Sequence, residues 1–265
     1  MDTARSFHTF LGLILAACMV MMIPVHATAD TIPETRPDSF AGEGSLRLFA
    51  TSNPVTLMAE ILGRHETFAG RDTYRSLTTG MYLRAHRNLK LGAFYRLQQG
   101  ELYEDDWENR NPGWEWQSTG SRNEHVFIGD LTPRFIAGFL PGGNWVFTVK
   151  TRYLYNTFND HQTLTVRPGL MWFWIRDGRP FINFYVQYEN YTPLNYGVTI
   201  FYEQWAYTGA IYHISDSMEL GMYGAYRRIE WGPSDDFETA HPDKDYRMLH
   251  QSFIIGMTMI IRINL

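Results

Sequence analysis

The chain has 265 residues, of which 17 are Phe, 16 Tyr and 8 Trp, and its mean hydropathy of -0.29 is too polar for a bundle of membrane-crossing helices. A net charge of -5 argues against a general nucleic-acid binder. A composition rich in aromatics yet polar on average suits a barrel in which only alternate residues face an apolar medium.

Residues 1–29 read as a secretory signal: Arg5 near the start, an apolar run from Phe10 to Val25, and the small-residue site Ala27, Thr28, Ala29. Cleavage there leaves Asp30 first and removes Cys18, the one cysteine, so neither disulfides nor thiol chemistry are expected. Leu15 to Cys18 also has the form of a lipoprotein acylation box, although the apolar run continues past it to Val25. Residues 30–44 are rich in Pro, Gly and acid and read as a flexible periplasmic lead-in, which places the folded barrel in residues 45–265.

From there, β-rich runs alternate with turn signals, at 55–65, 74–87, 89–99, 124–138, 145–158, 163–176, 181–192, 199–214, 218–231 and 249–264. That is ten strands; the alternating stretch SLRLFATSN before Pro54 is an extra strand or the start of the first, so twelve stays open. In WVFTVKTRYLYNTF, Trp145, Phe147, Val149, Tyr153 and Tyr155 share one face, and Thr148, Lys150, Arg152 and Asn156 the other. The next two strands set Leu164, Val166, Leu170, Trp172 and Trp174 against Thr165 and Arg167, then Ile182, Phe184, Val186 and Tyr188 against Asn183, Gln187 and Glu189. Strands 199–214 and 218–231 take either facing. Pro133 and Pro168 fall inside strands, where each deletes a ladder donor, and are expected at bulges or edges.

Connections alternate between short turns, near 86, at 140–144, 176–180 and 215–217, and a set of loops at 65–73, 101–124, 159–162, 190–197 and 232–248, all long except the third. An even strand number then leaves both chain ends on the short-turn side. The closing stretch SFIIGMTMIIRINL is too short for a spanning helix, which needs about 20 apolar residues. Its period of two instead puts Phe253, Ile255, Met257, Met259, Ile261, Ile263 and Leu265 on one stripe.

The signal sequence, the dyads, the Tyr and Trp gathered near strand ends and this apolar last strand resemble the bacterial outer-membrane β-barrel superfamily, across essentially the whole mature chain. The resemblance implies an all-β fold, an antiparallel up-and-down transmembrane β-barrel of about ten strands in the cell outer membrane. It implies contact with outer-membrane lipid and lipopolysaccharide-type glycolipid, and handling by the barrel-insertion machinery through the last strand. That strand normally ends in an aromatic residue, where this chain has Leu265. A secreted or periplasmic β-sandwich or lipocalin-like barrel is the rival, but it would bury its apolar faces inward.

The charged residues on the inward register are Arg84, His86, Lys90, Arg96, Asp130, Arg134, Lys150, Arg152, Arg167 and Glu189. A ten-strand barrel is narrow, so the first expectation is a lumen filled by paired side chains and a structural or surface-interaction role. The excess of Arg and Lys over acid supports the alternative, a narrow channel for small anions such as sugar acids or phosphates. The 101–124 loop holds seven acidic residues with Trp107, Trp114 and Trp116, and with 232–248 it is the place for an extracellular ligand, although no calcium-loop spacing is present. No metal, cofactor or nucleic-acid partner is expected. Of enzymatic patterns, Asp105, Asp106, Asp160, His161, Asp235 and Asp236 lack the spacing of outer-membrane proteases. His250-Gln251-Ser252 has the His-x-Ser spacing of outer-membrane lipid hydrolases, a weak three-residue match.

Overall fold

The computed structural model describes residues 39–66, 73–100, 107–110, 113–116, 123–138, 140, 143–196, 202–231 and 248–265. They form β1 (Ser39–Ser52), β2 (Val55–Glu66), β3 (Thr73–His86), β4 (Leu89–Gln99), β5 (Trp107–Arg110), β6 (Gly113–Trp116), β7 (Glu124–Ile136), β8 (Trp145–Asn156), β9 (Gln162–Arg176), β10 (Arg179–Pro193), β11 (Glu203–His213), β12 (Met218–Trp231) and β13 (Met248–Asn264). All but β5 and β6 join in one closed barrel, in the order β1-β13-β12-β11-β10-β9-β8-β7-β4-β3-β2.

Ten strands match the expected spans closely, and the eleventh is β1, which begins at Ser39 within the segment expected to be a flexible lead-in. Eleven is odd, so the ring cannot close antiparallel throughout: β1 pairs with β13 in parallel, Ser39 opposite Ser252 through Thr51 opposite Asn264. The barrel is therefore mixed rather than wholly up-and-down. Ser39, where β1 begins, stands at the rim of the long loops and Leu265 at the rim of the short turns, so the two ends of the barrel itself lie at opposite rims.

Side-chain facing follows the period of two. On β13, Phe253, Ile255, Met257 and Met259 are 37–58% exposed, whereas Ser252, Ile254, Thr258 and Ile260 are at most 7% exposed. The outward stripe continues through Leu57 and Ile61, Leu77 and Met81, Phe127 and Leu131, and Met222, so the barrel wears its apolar face outside. Inside lie two smaller apolar clusters, Phe94, Val126 and Ile128 on one wall and Ala41, Trp205, Ala225 and Ile254 on the other. Glycine makes room for the large rings: a Cβ on Gly256 would lie 2.0 Å from the ring of Tyr223, and Gly80 and Gly92 leave similar room for Phe94.

The short turn between β9 and β10 is Asp177-Gly178, both with positive φ (51° and 74°), as a two-residue hairpin that matches strand twist requires. Pro133 and Pro168 do not make bulges; each keeps an in-register partner, Leu89 and Val149. One missing donor is outvoted by the paired residues on either side. The register shifts instead near the short-turn rim, at Pro180/Ile182 and Arg84/His86.

Candidate functional site

Because inward residues recur every second position, charged residues on neighbouring strands meet at one level of the lumen. Lys150 and Arg152 on β8 both reach Asp130 on β7, at 3.1 and 3.3 Å from Oδ2. Arg167 on β9 lies 3.7 Å from Glu189 on β10, and Arg47 on β1 binds Glu60 on β2. Arg96 on β4 donates to Thr78 Oγ1 at 3.3 Å, and Thr78 is in turn the register partner of Glu60 on β2. Among the described residues this level holds five cations, Arg47, Arg96, Lys150, Arg152 and Arg167, against the carboxylates Glu60, Asp130 and Glu189. Lys150 also donates to the Tyr82 hydroxyl at 3.1 Å.

These side chains face a cavity of about 530 Å³, bounded by residues from Phe49 and Arg262 near the short turns to Tyr196 and Tyr202 near the long loops. Its exposure is asymmetric. The Asp130 and Glu189 side chains are 0% and 2% accessible, while Lys150, Arg152 and Arg167 retain 19–21%. Asp130 lies behind Lys150 and Arg152, while Glu60 and Glu189 line the cavity beside Arg47, Arg96, Lys150, Arg152 and Arg167.

Towards the long-loop rim the wall is filled. Glu203 accepts from Arg227 Nε and from Trp205 Nε1, both at 2.6 Å, and the Arg227 guanidinium lies 5.2 Å from the Trp205 ring. Arg64 lies between the rings of Tyr74 and Trp205, at 4.9 and 5.5 Å, with Glu43 at 3.7 Å. Trp205 stacks on Tyr207, whose hydroxyl donates to Glu189 at 3.3 Å. This tier is ion pairs and aromatic faces packed as a side-chain core.

His250 and Ser252 do share the inward face, 2.8 Å apart, and are fully buried. Their third partner is Glu66: its Oε1 lies 2.9 Å from His250 Nε2, 2.5 Å from Ser252 Oγ and 2.5 Å from Ser39 Oγ. In a serine relay the carboxylate holds one ring nitrogen while the hydroxyl meets the other. Here both sit on Nε2, and the group stitches β13 to β1 and β2 at the parallel seam.

Of the residues expected in the lumen, Arg96, Lys150, Arg152, Arg167 and Glu189 line the cavity, and Asp130 is buried behind its two cations. Arg84, His86, Lys90 and Arg134 are exposed at the short-turn rim. Trp107 and Trp116 are opposite each other in the β5–β6 hairpin of the long loop, and Trp114 is opposite Asn109. Asp105, Asp106 and the 232–247 loop with Asp235 and Asp236 lie outside the described residues. Asp160 accepts from the Tyr155 hydroxyl at 2.6 Å, while His161 stacks on Tyr196 at 3.9 Å.

Sequence reasoning missed Arg47, Glu60, Arg64, Glu203 and Arg227. The signal for Arg47 is the alternation Leu46-Arg47-Leu48, inside the run left undecided. On β11 and β12 both faces carry aromatic and small residues, so period two alone does not say which face turns inward. No protein-family model matches the chain, and no curated protein matches it in sequence.

Proposed function

We propose that the chain is an outer-membrane β-barrel whose lumen is a narrow channel for small anionic solutes. The observation that carries this is at mid-lumen, where the Lys150, Arg152 and Arg167 side chains keep 19–21% accessibility and those of Asp130 and Glu189 keep 0% and 2%. A solute entering that level meets positive charge, and low-dielectric walls focus its field.

The membrane setting is supported by the outward apolar stripe, by strands of 11 to 17 residues, and by the secretory character of residues 1–29. On this reading the outer stripe contacts lipid and lipopolysaccharide-type glycolipid, and β13 is the segment that insertion machinery recognises.

A structural or surface-interaction role is the second reading, favoured by the filled upper tier and by the β5–β6 hairpin carrying Trp107, Trp114 and Trp116. Single-channel recording in planar bilayers separates the two. The channel reading expects anion-preferring conductance that Arg152→Ala weakens; no conductance above a mock-refolded control overturns it. Heat-modifiable gel mobility and flotation with lipid vesicles test the barrel and its membrane setting.

A further inference from the structure

We propose that the lumen binds a small amphipathic monocarboxylate, its charge on Arg152 and its hydrocarbon body along an apolar row that crosses from β2 to β8. This rests on the reading of the lumen as open to small anions and names their class, aliphatic or aromatic acids rather than sugar acids or phosphates.

The row follows from register. Met58 on β2 is opposite Gly80 on β3, Gly80 opposite Phe94 on β4, Phe94 opposite Ile128 on β7, and Ile128 opposite Leu154 on β8. Five neighbouring strands thus carry no polar side chain at one level of the interior. Phe94, Val126 and Ile128 form the floor of this surface, and Met58, Tyr82 and Leu154 pack against it, partly exposed. All six line the cavity. Apolar area facing a wet lumen is unfavourable, and a solute with an apolar body removes it from water.

Charge begins at the next inward position. Asp130 follows Ile128 on β7, Arg152 precedes Leu154 on β8, and the two are register partners. The apolar and charged rows touch: a Cβ on Gly92 would lie 2.5 Å from the Phe94 ring and 3.0 Å from the Cβ of Asp130. Tyr82, edge-on to Phe94 at 4.7 Å, accepts from Lys150 Nζ at 3.1 Å. Arg152 gives its Nε to Asp130, at 3.3 Å, and its two Nη nitrogens make no hydrogen bond among the described residues. Its side chain borders the cavity and keeps 21% accessibility. A carboxylate accepts from such a guanidinium edge side by side. Glu43, Glu60 and Glu189, which also border the cavity, are taken up by Arg64, Arg47 and Arg167.

One guanidinium edge suits one carboxylate. Successive inward positions are about 7 Å apart along a strand, so a carboxylate on Arg152 sets a chain of about six carbons, or a phenyl ring, beside Leu154, Ile128 and Phe94. The cavity of about 530 Å³ accommodates such a compound together with water.

The test is isothermal titration calorimetry on the full barrel protein in lipid nanodiscs, with protein-free discs as the blank and acetate, hexanoate, phenylacetate and succinate as probes. Hexanoate or phenylacetate should bind once per barrel and at least about tenfold more tightly than acetate or succinate, since each methylene moved from water onto an apolar wall adds up to about fourfold. Whichever of the two binds more tightly says whether the body is aliphatic or aromatic. Arg152→Gln should weaken hexanoate binding about tenfold or more. Leu154→Asn, which puts an amide in the row, should remove most of the hexanoate preference and leave acetate unchanged; if that barrel loses its heat-modifiable mobility, Met58→Gln takes its place. Equal affinities for hexanoate, phenylacetate and acetate, tighter binding of succinate, or a folded row variant with the preference intact would overturn the site. So would a folded Arg152→Gln barrel with unchanged affinity. Because titration reads binding and not passage, hexanoate binding without conductance removes the channel alone, and anion-selective conductance without a preference for the apolar acids removes the site alone.

Discussion

Lys150 and Arg152 share a single carboxylate oxygen: Asp130 Oδ2 is 3.1 Å from the lysine Nζ and 3.3 Å from the arginine Nε. Two cations on one fully buried acid make Asp130 the keystone of the mid-lumen level. Asp130→Ala leaves both without it in a low-dielectric lumen. Removing one partner of a buried pair costs about 3–5 kcal/mol, and the partial exposure of both cations reduces this to about 2 kcal/mol. Urea unfolding of the refolded barrel should record that loss, and an unchanged midpoint would show that water screens the pair completely.

Gly256 and Tyr223 form a second dependent pair, because the tyrosine ring fills the space that a Cβ at 256 would occupy. Gly256→Ala must displace the ring and break the hydrogen bond from its hydroxyl to Glu43. The expected cost is about 1–3 kcal/mol, as for other overpacked sites. Combining it with Tyr223→Ala should make the two effects clearly non-additive in the same unfolding measurement. Simple additivity would mean that the ring moves aside freely.

At the parallel seam, Glu66 is the common acceptor for Ser39, His250 and Ser252. Glu66→Ala removes the shared acceptor of three buried polar groups, which keep their bonds to one another, Ser39 to Ser252 and Ser252 to His250, so the expected cost is about 1–3 kcal/mol in all. Ser252→Ala removes one hydroxyl and leaves Glu66 with His250, so it should cost about 1 kcal/mol. Hydrogen exchange followed by mass spectrometry reads this directly. The β1 and β13 amides should exchange faster in Glu66→Ala, with β7 to β9 unaffected, whereas equal change throughout would separate the cluster from the seam.

The parallel closure has its own chemical test. Ser45 on β1 and Thr258 on β13 are register partners whose hydroxyl oxygens lie 2.8 Å apart. Cysteines at both positions, with Cys18 removed, should form an intramolecular disulfide on oxidation of the folded barrel, visible as a mobility shift reversed by reductant. A ten-strand barrel closing β2 directly on β13 would give no such cross-link.

The outward stripe predicts a facing-dependent response at one depth of β13. Met257→Arg places a charge on the apolar exterior, where mid-membrane cost is about 2–4 kcal/mol, while Thr258→Arg turns towards the lumen. Folding yields into lipid vesicles should fall sharply for the first and little for the second. Equal yields would argue against lipid on that face.

Much of this molecule follows from period two alone. In 252–264 and 145–156 the alternation specifies strand, facing and span together, since an apolar exterior and a polar interior tolerate no one-residue slip. The loop lengths likewise specify which rim each connection occupies, and Lys150, Arg152, Arg167 and Glu189 were legible because their outward neighbours are unambiguously apolar. Facing on β11 and β12 was not legible: Trp205, Tyr207 and Tyr223 suit either a membrane-like exterior or a packed interior, and only their partners Glu189, Glu203 and Glu43 decide.

Closure was beyond local pattern for a different reason. The number of strands in a ring and the direction of the last pair depend on which two ends meet, here Ser39 with Ser252, 213 residues apart. The same holds for charge: sequence placed cations and acids on the inward face, but only the folded ring put Lys150 beside Tyr82 and set Asp130 behind Lys150 and Arg152. Periodicity is a property of neighbours along the chain, whereas pairing across a lumen is a property of the ring.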